Sequence, residues 1–148
     1  MKKQYSSFPL DEQNPAFPDE KEMFWPTLMV RVGKSHQQTP RFPAVVDSGS
    51  PWCIFKSDIG KFLGIDVYAG KRYKMGGVIS GITEPIYFHR VKIYVEQDWV
   101  IDVTAGFADK LGVTGILGRT GFFDNFHVHF DHSVKPPILQ IDRIQKPN

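Results

Sequence analysis

Cysteine is almost missing from the chain: Cys53 stands alone among 148 residues. An intrachain disulfide is therefore excluded, and a reducing compartment suits the protein. Charge of one sign is also lacking, since 18 Lys and Arg against 16 Asp and Glu leave a formal net charge of +2. Nucleic acid is thus not an expected partner, because phosphate binding needs a concentrated basic surface. Lys71, Arg72 and Lys74 do cluster around Tyr73, but they read as a solvated hairpin face. No apolar run approaches membrane-spanning length, and the basic start Met1-Lys2-Lys3 is followed by no apolar segment of the leader type. Membrane is excluded as a partner on the same grounds, and a cytoplasmic protein is the expectation.

What the chain does have is apolar and aromatic material, at 41% and 14% of residues. That is enough for one core, and one domain is the natural count. The most informative stretch runs Phe42-Pro-Ala-Val-Val-Asp-Ser-Gly-Ser-Pro-Trp-Cys-Ile-Phe55. Its β-branched Val45 and Val46 read as a buried strand, which ends on a single acid, Asp47. Burying a carboxylate unpaired costs several kcal/mol (~2–7 for a polar group without compensation), so an acid there needs a purpose. Ser48, Gly49 and Ser50 are small, and a glycine lets the backbone pass close to another segment. Cys53 sits among Trp52, Ile54 and Phe55 and reads as a small core hydrophobe.

In chain order, residues 1–23 carry Pro9, Pro15 and Pro18 and the run Asp19-Glu-Lys-Glu22, without periodicity. They read as an amino-terminal arm, mobile or docked through Phe8, Phe17 or Phe24. The domain is expected over 24–142, with a short tail over 143–148. Leu28, Val30 and Val32 alternate with Met29 and Arg31 as a half-buried strand, and Gly33–Arg41 reads as a polar loop. The return over Phe42–Asp47 makes a hairpin. Ser57 as a cap, Asp58 in the first turn, Ile59, Phe62 and Leu63 as an apolar stripe and Gly64 at the end describe a short helix. Gly76, Gly77 and Gly81 around Val78 and Ile79 read as a hairpin tip. Pro85–Glu96 is the clearest strand, with Val91, Ile93 and Val95 on one face and Lys92, Tyr94 and Glu96 on the other. The sheet continues over 99–107, a helical turn is expected at Ala108–Gly112, and Ile116-Leu117-Gly118 is a short apolar strand. Phe122, Phe123 and Phe126 follow at helical spacing. Phe126, Val128 and Phe130 then alternate with His127 and His129, and Pro137–Ile141 closes the chain. The sum is a mostly antiparallel β domain with two or three short helices.

This order of parts resembles the single-domain, retropepsin-like aspartic proteases. The matching text is Val45-Val46-Asp47-Ser48-Gly49-Ser50 for the acid loop and Ile116-Leu117-Gly118-Arg119 for the second motif, with the segment around residues 75–81 in the place of the flap. Bacterial members show similar Gly-Phe-Phe-Asp text after the arginine, as at Gly121–Asp124. The resemblance implies an acid-protease barrel over roughly residues 25–142 and an aspartic endopeptidase acting on polypeptide. It casts Asp47 as catalytic, and Ser48, Gly49, Ser50, Ile116, Leu117, Gly118 and Arg119 as support for its loop. Gly76, Gly77, Val78, Ile79 and Gly81 would form the flap.

Such hydrolysis needs one carboxylate to activate water and a second, protonated carboxyl to polarise the amide carbonyl. Two carboxyls in close contact share one proton, since both cannot easily ionise together. This chain has a single Asp-Ser-Gly, and Val113-Thr114-Gly115 lacks the acid that a second half would bring. The resemblance therefore implies a homodimer contributing Asp47 twice. No cofactor and no metal is called for. His127 and His129 share a strand face and read as solvent-facing, with Asp131 beside His132 as the only hint of a ligand set. Two positions depart from the family. Pro51 stands where viral members carry an acid that pairs the arginine, and Arg119 is left to find Asp124 or another acid. The alternative reading is a catalytically silent, protease-like peptide-binding or dimerisation module.

Overall fold

The computed structural model describes residues 1–76, 83–96 and 99–145. In chain order the strands are β1 (Lys2–Gln4), β2 (Ser6–Pro9), β3 (Glu22–Trp25), β4 (Thr27–Lys34), β5 (Gln37–Gln38), β6 (Phe42–Val46) and β7 (Ile54–Lys56). After the helix α1 (Ser57–Phe62) and a 3-10 turn at Val67–Ala69 come β8 (Lys71–Gly76), β9 (Thr83–Val95), β10 (Trp99–Ala108), β11 (Gly115–Leu117), β12 (Phe126–Asp131) and β13 (Ile138–Arg143). The chain divides into two compact units, Leu28–Asn125 and Met1–Thr27 with Phe126–Asn148.

The larger unit is a mixed barrel. Strands pair in the order β4, β6, β11, β7, β10, β9, and β9 pairs back on β4 to close a ring of six. Closure leaves these six strands without a free edge, and β5 and β8 extend from the ring. The pattern of β9 explains why it can serve two neighbours. Ile93 lies opposite Ile101 of β10 and Val32 of β4, and Val91, Ile93 and Val95 are all buried. Leu28, Val30, Val46, Phe55, Phe107 and Leu117 complete the apolar interior. Burying one such side chain is worth ~1.5–3 kcal/mol, so the alternation legible in the sequence is also the source of stability.

Among the described residues the helical elements include α1 and the 3-10 turn at Val67–Ala69, where two or three short helices were expected. Ser57, expected to cap, is instead the first helical residue: the N-cap is Lys56, with no side-chain cap bond. Ser57 is buried, and its hydroxyl bonds the carboxylate of Asp109 at the end of β10. Gly64, with φ 72, follows the helix where expected. The expected turn at 108–112 is partly strand, because β10 runs through Ala108. The segment after Arg119 is a series of turns rather than a helix. Gly121 holds φ 107, a left-handed conformation that a continuing right-handed helix cannot contain.

In the smaller unit β1 and β12 flank β13, and β2 pairs with β3 as a hairpin. Residues 1–23, expected as an arm, thus include β1 and β2, with the cross-strand pairs Lys3 opposite Leu139 and Phe8 opposite Met23. Tyr5 is buried, its amide donating to the Pro137 carbonyl and its hydroxyl meeting His132 Nε2 at 3.1 Å. Phe8 and Phe17 are exposed, and Phe24 is half-buried. His127 and His129 of β12 are exposed as well. Among the described residues no helix is long and apolar enough to cross a membrane.

The anchorage of α1 yields a pH prediction. The Ser57 hydroxyl first, then the Tyr68 hydroxyl at 3.0 Å with Lys61 and Lys110 nearby, holds the Asp109 carboxyl below its usual range. A depressed acid stabilises the fold above the ordinary carboxylate pKa and loses that contribution as pH falls through it. Asp109→Asn should therefore melt lower than wild type at pH ~7, and the gap should close below pH ~4. Because Asp109 is exposed, the gap should be worth under ~1 kcal/mol. Thermal melts at both pH values check this.

Candidate active site

Strand β6 leads into the site. Ala44 and Val46 are buried, and the next residue, Asp47, is half-buried at the mouth of a tight turn. The Asp47 amide donates to the Leu117 carbonyl at 3.0 Å, and its own carbonyl accepts the Ser50 amide at 3.2 Å. The side chain is held too: Oδ1 accepts the Gly49 amide at 2.8 Å. One carboxylate oxygen is thereby fixed against the backbone, which sets the direction of the acid. Ser48 and Gly49 are exposed, whereas Ser50 is buried, with its hydroxyl donating to the Trp52 carbonyl at 2.8 Å.

The second motif supplies the wall behind this turn. Strand β11 lies between the two strands that flank the acid, parallel to β6 (Ile116 opposite Val45, Leu117 opposite Val46) and antiparallel to β7 (Ile116 opposite Ile54). Its continuation keeps bonding the turn: the Arg119 amide donates to the Ser50 carbonyl and the Thr120 amide to the Pro51 carbonyl, both at 2.9 Å. Gly118 is required at this crossing. A Cβ there would stand 2.1 Å from the Trp52 carbonyl oxygen and 2.8 Å from that of Ser50. Two distant stretches of sequence thus form one hydrogen-bonded unit around the acid.

Asp47, Ser48, Gly49, Ser50, Ile116, Leu117, Gly118 and Arg119 are accordingly brought together. Gly76 ends β8, while Gly77, Val78, Ile79 and Gly81 lie outside the described residues. Pro51 fits its place, because only its carbonyl is used and its missing N–H is not called on. The Arg119 side chain is exposed, and among the described residues no ion pair joins it to an acid. Asp124 turns instead to the Gly121 amide, at 3.0 Å. Cys53 is fully buried with its thiol pushed up to about 11 by burial, so it is no nucleophile at neutral pH. Among the described residues no group of three or more His, Cys, Asp or Glu could hold a metal.

Sequence reasoning missed two participants. Thr120 pairs with the acid loop, forming an isolated bridge with Trp52 that no residue pattern announces. The Trp52 ring meets Tyr73 and Phe88 edge-on, at 5.4 and 5.3 Å between centroids. A tryptophan so close to an Asp-Ser-Gly was the available signal. A cavity of about 830 Å³ lies elsewhere, lined by Lys34, Leu63, Ile65, Asp66 and His89 among others, and does not include Asp47. The acid turn is the stronger candidate, because there the backbone is organised around one chemically useful group. A single chain presents one carboxylate at this turn, that of Asp47.

No family model and no curated protein matches the chain. Among solved structures it is similar to the EIAV protease complexed with the inhibitor HBY-793, at 20% identity and a TM-score of 0.45, over 64% of this chain and 82% of that one. A likeness at that level describes shape and carries nothing about activity.

Gly118→Ala tests the crossing. The carbonyls it would strike are already bonded, so the variant should lose at least ~1–3 kcal/mol of stability, as overpacked sites do. Gly112→Ala, where a Cβ meets nothing within 4 Å, should stay close to wild type. Urea unfolding of the two variants gives the comparison.

Proposed function

We propose that the protein is an aspartic endopeptidase that acts as a homodimer, each chain supplying one Asp47 to a shared site. The observation that carries this reading is the acid turn locked against an inserted strand, with Asp47 Oδ1 on the Gly49 amide and Gly118 packed on the loop carbonyls. Such fixation suits a group that must meet its partner in one geometry. In the assembled site one Asp47, ionised, takes the proton of the attacking water. Its partner, protonated, donates to the amide carbonyl oxygen as the tetrahedral adduct forms.

The supporting residues follow from the same reading. Ser48, exposed beside the acid, is the group available to hydrogen-bond across the two-fold axis. Ile116, Leu117 and Gly118 hold the loop from behind, and Arg119 ties it through its amide. The β8–β9 hairpin, with the flap expected around residues 75–81, would lie over an extended polypeptide that pairs as an added strand.

A second reading keeps the fold but not the chemistry: a peptide-binding or dimerisation module without turnover. The exposed Arg119, with no acid partner among the described residues, favours it. Asp47→Asn separates the two. Under the peptidase reading it lowers cleavage of an unfolded polypeptide at mildly acidic pH by at least about a hundredfold and leaves the melting temperature near wild type. Equal activity in a clean preparation would rule the mechanism out. Sedimentation of the wild-type chain adds a check, because a strict monomer at high concentration leaves one carboxylate per site and supports the module.

A further inference from the structure

Trp52 follows the acid turn and is bound to it through its backbone. Its carbonyl accepts the Ser50 hydroxyl, and the same carbonyl packs against Gly118. Its ring points to a different element. It lies half-buried, edge-on to Tyr73 of β8 and Phe88 of β9, in a cluster with buried Ile54, Ile86 and Ala108 and half-buried Met75 and Leu111. Tyr73 is 55% exposed, so its ring is not there to fill the core. Among the described residues β8 is paired along one side, to β9, and stands at the end of the sheet. Besides its pairing with β9, β8 meets the acid-turn side of the barrel through Tyr73 and Met75 of this cluster.

From this juxtaposition we infer that Trp52 is a positioning residue that couples the β8–β9 hairpin to the acid turn. One end of the residue is fixed in the loop that orients Asp47, and the other is clasped by the hairpin. A displacement of β8 is transmitted through an aromatic ring that is wide, stiff and held at both ends. Physical coupling of this kind requires that a change on one side alter the other only while the connecting ring is present. Its bearing on catalysis rests on the peptidase reading, whereas the coupling itself is measurable without substrate.

The experiment is amide hydrogen exchange on the full chain. Tyr73→Ala removes the ring that clasps Trp52. It should speed exchange at the Asp47, Ser50 and Arg119 amides about fivefold, the size expected from loss of one aromatic pair. Trp52→Phe, which keeps an aromatic ring, should hold these rates near wild type. In a Trp52→Leu background, Tyr73→Ala should add nothing. Unchanged rates in Tyr73→Ala would overturn the proposal, and so would equal increments in both backgrounds. A matching rise at the Val30 and Val32 amides would also overturn it, as general loosening of the barrel. Should Trp52→Leu fail to fold, Trp52→Met serves as the ring-free background. Failure of the peptidase reading would show separately, in the Asp47→Asn assay.

Discussion

The insertion of Gly115–Thr120 between the two limbs of the acid turn is the constraint on which the site depends. It is made of main-chain contacts: amides of Asp47, Arg119 and Thr120 donate to carbonyls of Leu117, Ser50 and Pro51. Each bond contributes only ~0.5–1.5 kcal/mol net, yet leaving one unmade in a buried place costs more, so the set holds together or fails together. Gly118 decides whether the two stretches can approach at all, since its neighbours leave no room for a side chain. These bonds pair backbone groups of a polar turn that sits at the end of an apolar barrel.

The barrel in turn makes that approach possible. β6 and β7 would part after the turn if β11 did not bridge them, and β11 is held in register by Leu117 opposite Val46 and Gly115 opposite Phe55. Phe55 packs against Phe42 and Phe107, which links the strand after the acid to the strand before it and to β10. Cys53 and Trp52 divide the segment between these anchors. The first is buried as an apolar side chain, and the second faces the hairpin.

Much of this was legible in the residues. The alternation of Val91, Ile93 and Val95 was enough to place β9, because burial on one face leaves a period of two in any strand. The run ending at Asp47 announced a strand and an acid that needed a reason, and the resemblance cast Ile116-Leu117-Gly118-Arg119 as support for its loop; that Gly118 is the point of close approach comes from the fold. Other features escaped because they depend on partners far away in sequence. Ser57 looked like a helix cap, but the carboxylate it meets belongs to Asp109. The aromatic spacing at Phe122, Phe123 and Phe126 suggested a helix, which the backbone of Gly121 breaks. Lys2–Gln4 carries no strand pattern of its own and is strand because Ile138–Gln140 lies beside it. The register of β11 between β6 and β7 could not be read from any single stretch.

Under the peptidase reading, one oriented acid at the turn of each chain makes the proposed chemistry a matter of assembly. The Gly49 bond fixes one oxygen of Asp47 and leaves the other for a partner or a water. A crystal structure of the protein grown at mildly acidic pH tests this most directly. The account predicts a two-fold axis through the acid turns, with two Asp47 carboxylates each within ~3 Å of one shared water. A structure in which the acid turns face away from every neighbouring copy, together with a monomer in solution, would contradict it.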